Sequence, residues 1–179
     1  MTSQKSAATL AHEFYYRSHY GFIKAPVSMN DGGVEKNRRF AAALCVISGA
    51  DGEVSKEEMD FILGYCAAKG YPQSIIDAIP KMCKEAETKG LDEGANEIKE
   101  LLTLGTLKYT SRQIVYDAIR AASPDGLDEK EEAAIRKVTG VLGISDEELE
   151  KILRLVKKED ELREERTKLL FPHGHPCLP

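Results

Sequence analysis

Apolar residues along this chain recur at intervals of three and four and almost nowhere at intervals of two. That is the spacing of one face of an α-helix, and it predicts an all-α protein. Residues 5–20 form the first predicted helix, with Leu10 and Phe14 on its apolar side and Tyr15 at the margin. Pro26 and Asp31-Gly32-Gly33 then mark a loop. Residues 34–49 carry Phe40, Ala43, Leu44 and Ile47 on one face, and Ala41, Ala42, Cys45 and Val46 fill the rest. A helix apolar almost all round belongs at the centre of a core. Met59, Ile62, Leu63 and Cys66 predict a helix over 55–69. Residues 73–88 contain Pro80, which kinks a helix or restarts it. Four more helices are expected over 91–104, 110–122, 128–142 and 146–168, giving about eight in one bundle. In the last, the stripe of Leu149, Ile152, Leu153 and Val156 gives way to mixed charge, KKEDELREERTK, and the end, FPHGHPCLP, reads as a loose tail.

The pattern repeats. Ser48-Gly49-Ala50-Asp51-Gly52 corresponds to Ala122-Ser123-Pro124-Asp125-Gly126, and Glu57-Glu58 to Glu131-Glu132. Phe61 then aligns with Ile135, and after a one-residue gap Gly70-Tyr71-Pro72 meets Gly143-Ile144-Ser145. Each half is helix, Asp-Gly turn, helix, Gly stop, helix. Two such units pack most simply about a pseudo-two-fold axis.

Three readings of the Asp-Gly…Glu element compete. In the first it is helix punctuation. Gly supplies the turn, and Ser55 with Glu58 forms a capping box, as Asp128 with Glu131 and Ser145 with Glu148 would later. In the second it is a calcium loop of the EF-hand type, but the first and third positions fall on Ile47 and Gly49, which carry no side-chain oxygen. In the third, Asp51 and Glu58 converge with Asp125 and Glu132. Four carboxylates at close range repel one another, and a hard cation held by oxygen relieves that.

An apolar helix ending in A-D-G, followed by E-V-S-K-E-E and by a second D-G…E-E copy, resembles the TerB-like family of tellurite-resistance proteins. The resemblance covers about residues 34–156. It implies an all-helical, internally duplicated fold whose paired acidic motifs line a metal-binding centre, and a link to stress response and to membrane-associated complexes. By that resemblance Asp51, Glu58, Asp125 and Glu132 are the ligands of a divalent cation, Ca²⁺ or Mg²⁺ rather than Zn²⁺, with Glu57, Asp128 and Glu131 nearby. Ser123-Pro124 and Asp128 depart from the small and apolar residues usual at those positions. The expected organisation is an N-terminal helix and loop over 1–33, the duplicated domain over 34–156, and a charged helix end and tail over 157–179.

Composition narrows the function. A net charge of −5 without a basic cluster argues against a nucleic-acid binder. The longest apolar run, Phe40 to Ile47, is too short to span a bilayer, and the N-terminus lacks the apolar core of an export signal. A cytoplasmic protein is expected. Cys45, Cys66, Cys83 and Cys177 show no CxxC spacing, and the first three lie on helical stripes as small buried residues. His12, Tyr16 and His19 share a face of the first helix, as a ligand or partner patch or as a packing face. His173, His175 and Cys177 are metal-ligand types in a loose tail. No nucleophile elbow or phosphate loop occurs, so a non-enzymatic protein is expected. The leading expectation is a cation-responsive, stress-related protein or regulated scaffold. The rivals are a metal-independent adaptor, with protein partners at 5–20 or 146–168, and a helical small-molecule carrier.

Overall fold

The structure, a computed structural model, describes residues 7–21, 33–49, 52–103, 111–122, 127 and 129–174. The described residues form helices α1 (Ala7–Tyr20), α2 (Gly33–Ser48), α3 (Lys56–Ala68), α4 (Gln73–Ile76), α5 (Ile79–Thr103), α6 (Ser111–Ala122), α7 (Glu129–Val141) and α8 (Asp146–Leu170). α4 is a single turn of four residues. No strand occurs among the described residues, so the expected all-α class holds.

The all-round apolar helix is the axis of the bundle. Phe40, Ala41, Ala43, Leu44, Cys45, Val46 and Ile47 of α2 are all buried, and α2 packs along α5 and α6. α2 also meets α7, while α6 meets α3, the crosswise contacts that exchange of two equivalent halves requires. Leu44 and Ile47 of α2, Ile62 of α3, Ile114 and Ile119 of α6 and Ile135 of α7 are fully enclosed. Each such side chain stabilises the fold by about 1.5–3 kcal/mol relative to exposure. Leu44→Ala would remove atoms from the tightest region, where the cost is about 2–5 kcal/mol.

Pro80 restarts a helix rather than kinking one. α4 stops at Ile76, α5 begins at Ile79, and Pro80 is its second residue, where a missing N–H breaks no helical bond. The expected break near Gly90 does not occur, and α5 runs unbroken to Thr103. Ile79, Cys83, Ala86 and Ile98 lie buried along it. Their burial outweighs the cost of a mid-helix glycine, about 1 kcal/mol.

α1 docks on a different face from the expected one. Leu10 and Phe14 are 53% and 71% exposed, whereas Tyr16 is buried. The surface offered by α3 and α6 includes Lys69, Asp117 and Arg120, and it needs partners that join an apolar body to a polar tip.

Candidate functional site

The first Asp-Gly turn is built from close packing. At Gly49 an added Cβ would lie 3.2 Å from the Cβ of Ala86 and 3.2 Å from the amide nitrogen of Glu87, so a larger residue would have to push α5 back by a few tenths of an ångström. The Gly52 N–H donates to the Gly49 carbonyl at 3.1 Å, and Gly52 has φ +104°, a region that favours glycine. Val54 then enters the core, and Ser55 caps α3. The capping box is complete. The Ser55 N–H donates to Glu58 Oε2 at 2.7 Å, and the Glu58 N–H donates to Ser55 Oγ at 3.2 Å.

Glu58 is only 4% exposed. A second carboxylate reaches the same turn from α5, where Glu87 Oε1 accepts the Val54 N–H at 3.3 Å. Lys84 lies 3.3 Å from its other oxygen. Glu58 and Glu87 both act electrostatically on the thiol of Cys83. Glu87 is absent from the sequence motif because it arrives from another helix, and local spacing carries no sign of it.

The second half differs in register. From turn to helix it is one residue shorter, since α7 starts three residues after Gly126 and α3 starts four after Gly52. Val54 therefore corresponds to Leu127, Ile62 to Ile135, and Gly70 to Gly143, both glycines having positive φ. In this register Glu58 corresponds to Glu131. Each is the third residue of its helix and each is buried, at 4% and 9% exposure. Glu132 lies on the surface side. Its Oε1 accepts from Arg136 Nη2 at 2.7 Å, and Arg136 also donates to Glu150 Oε1 at 2.7 Å. Glu57 is exposed. Asp51, Asp125 and Asp128 lie outside the described residues, as do His175 and Cys177. Among the described residues, no three His, Cys, Asp or Glu groups are placed to hold a metal.

A second polar centre lies under α1. The Asp117 carboxylate is fully buried on α6. It accepts from the Tyr65 hydroxyl, and the Tyr20 hydroxyl lies 3.2 Å from both of its oxygens. Tyr65 in turn accepts from Lys69 Nζ at 2.6 Å. The Lys69 ammonium, 3% exposed, sits over the rings of Phe40 and Tyr65, at 4.5 and 4.7 Å from their centroids. Burial pushes Lys69 down to about 8, against the pull of Asp117, and burial pushes the Asp117 carboxyl up.

His12, Tyr16 and His19 form the packing face of α1. His12 Nδ1 lies 2.7 Å from the Lys69 carbonyl oxygen. His19 Nε2 accepts from Arg120 Nη1 at 2.6 Å. Burial first, and then the Arg120 charge, push His19 down to about 4. Tyr116 donates to Glu159 Oε2 at 2.6 Å, which ties α6 to α8.

The architecture defines a duplicated helical protein with a tight glycine turn between α2 and α3, a buried glutamate at the third position of α3 and of α7, and a tyrosine-rich ionic core beneath its first helix. The pattern of the family described as tellurite resistance protein TerB matches residues 41–155, and the chain belongs to that family. Among solved structures, a tellurite resistance protein from Nostoc punctiforme PCC 73102 superposes with a TM-score of 0.71 and 28% identity, covering 97% of this chain and 99% of that one. No curated protein matches the chain. Among the described residues, no helix is long and apolar enough to cross a membrane.

Proposed function

We propose that this TerB-family chain is a non-enzymatic, cytosolic, cation-responsive protein that contributes to tellurite resistance or a related stress response. The observation that carries the reading is the burial of Glu58 and Glu131 at the same position of the two halves. A carboxylate taken out of water needs compensating charge or hydrogen bonds. Glu58, with Glu87 beside it, and Asp51 would supply oxygen ligands in the first half. Asp125 with Glu132 or Glu131 would supply them in the second. An all-oxygen set suits Ca²⁺ or Mg²⁺ rather than Zn²⁺. The bound ion would neutralise the acidic turns and hold the α2–α3 and α6–α7 junctions in one geometry, which a partner reads.

The test is thermal unfolding of chelator-stripped protein with and without Ca²⁺, Mg²⁺, Mn²⁺ or Zn²⁺. At a hundred times its Kd, an ion that binds only the folded state adds about 2.7 kcal/mol, roughly 5–10 °C for a chain of this size. The shift should vanish in the Asp51→Asn/Asp125→Asn variant. Comparing Glu131→Gln with Glu132→Gln decides which carboxylate of the second half takes part. No shift with any ion overturns the cation reading.

A metal-independent adaptor is the second reading, favoured by one observation. Leu155, Leu162 and Leu169 stand exposed at seven-residue intervals along one side of α8. In that case deleting residues 161–179 abolishes partner binding, and the two Asn changes leave it intact.

A further inference from the structure

Three buried thiols approach one another in the core, one each from α2, α3 and α5. Cys45, Cys66 and Cys83 are all fully buried and free. Two of them touch, since Cys83 Sγ and Cys45 Sγ are 3.1 Å apart, which brings α2 and α5 into covalent range. The third is near enough to act on the pair electrostatically. It does not complete a metal set, because no three ligand-type groups among the described residues are placed to hold an ion. The chemistry open to the cluster is that of a dithiol. A disulfide has a sulfur–sulfur length of about 2.05 Å, so closure needs the two sulfurs to approach by about 1 Å.

We propose that Cys45 and Cys83 are a peroxide-responsive pair that closes to a reversible disulfide between α2 and α5. The thiolate of one cysteine of the pair attacks one oxygen of hydrogen peroxide. The O–O bond breaks, hydroxide leaves and takes a proton to become water, and that cysteine becomes a sulfenic acid. The other cysteine then attacks the sulfenic sulfur, the S–O bond breaks, and a second water leaves with the proton of the second thiol. Two thiols are oxidised and one peroxide is reduced to two waters. A small thiol reductant reverses the bond in two exchange steps and is itself oxidised to its disulfide.

Either sulfur of the pair can open the reaction. In the contact the Cys83 thiol donates to the Cys45 sulfur at 3.1 Å, so the second sulfur already stands beside the first when one of them is oxidised. Complete burial sets the reagent class. A small peroxide needs a smaller opening of the α2–α5 seam than glutathione disulfide does, since both sulfurs are fully buried.

The experiment uses the full chain with Cys177→Ser, which removes the thiol outside the described residues. Folded protein is treated with hydrogen peroxide, its free thiols are alkylated, and a non-reducing digest is read by mass spectrometry. The expected result is a Cys45–Cys83 cross-linked peptide two hydrogens lighter than its parts, with Cys66 still alkylated and the link lost on adding dithiothreitol. Cross-linking through Cys66 instead overturns the proposal, as does survival of all three thiols at doses that oxidise the half-buried Met59 and Met82. In the Cys45→Ala and Cys83→Ala variants, the remaining thiol of the pair should take up the sulfenic-acid trap dimedone in at least one of the two. Trapping in neither overturns the peroxide step. The cross-link map of the Cys177→Ser chain decides the disulfide even if an alanine variant fails to fold.

Discussion

Two buried charges, Lys69 and Asp117, are joined through one hydroxyl. Tyr65 accepts from the ammonium and donates to the carboxylate, so each charge is solvated by a group that the other holds in place. Removing one charge leaves its partner buried without that opposite charge. Lys69→Met or Asp117→Asn should each destabilise the protein by about 3–5 kcal/mol, and the double variant by much less than the sum. Chemical denaturation of the four proteins measures that coupling, and additive losses would show the charges to be independent. His19 gives a pH signature. Its folded value of about 4 lies below the usual 6.5, so the unfolded chain holds the proton over that interval. The contribution of His19 is therefore intact above pH 6.5 and is lost as the pH falls from 6.5 towards 4. Relative to His19→Gln, the parent chain should lose melting temperature across that window and change little between pH 7 and 8. Neither buried charge was expected, although each left a signal. Ile62, Cys66 and Lys69 share one helical face, and so do Ile114, Asp117 and Ala121. A charge on an apolar stripe is a signal. Its partners were not legible, because they come from helices far apart in the chain.

At the level of single elements, local chemistry and tertiary packing divide the control. Caps are local, and the pattern Ser-x-x-Glu foretold the observed boxes at Ser55 and Ser145. Ser55→Ala should cost about 1 kcal/mol, and a cap of this kind seldom exceeds 2 kcal/mol. Thermal unfolding checks both serines. The Glu148 box is also braced by Arg112, whose Nε donates to Glu148 Oε1 at 3.0 Å. α5 shows the opposite case. A glycine in its middle looks like a stop, but the fused helix lies along α2 and is held there by residues on both sides of the glycine. Helix propensity was outweighed by burial, which no short window of sequence reveals. The buried face of α1 differs from the expected one for a related reason. Leu10 and Phe14 look like the core side, yet the surface that receives α1 is polar and selects tyrosine and histidine.

For the whole molecule, duplication was legible and its register was not. Repeating glycines and Asp-Gly turns announce two units. The one-residue difference in turn length is visible only once the helix starts are known, and it exchanges the roles of Glu131 and Glu132. An error of one residue on a helix rotates a side chain by about 100°, which is the difference between core and surface. Beyond Asp160 every residue of α8 is exposed, so deletion of 161–179 should leave the melting temperature within about a degree or two. A larger fall would mean that the end of α8 packs on this chain in solution.

α8 is a single helix of 25 residues whose inner half carries the buried Leu149 and Val156 and whose outer half is surrounded by water. Hydrogen-bond continuity and protection need not coincide. Deuterium uptake should rise abruptly a turn or so past Val156, since amides beyond it open by fraying while those before it open only with the core. That boundary would make the exchange profile a detector of company. A binding partner lying along Leu155, Leu162 and Leu169 would carry slow exchange outward to the last turn without any change in helix content.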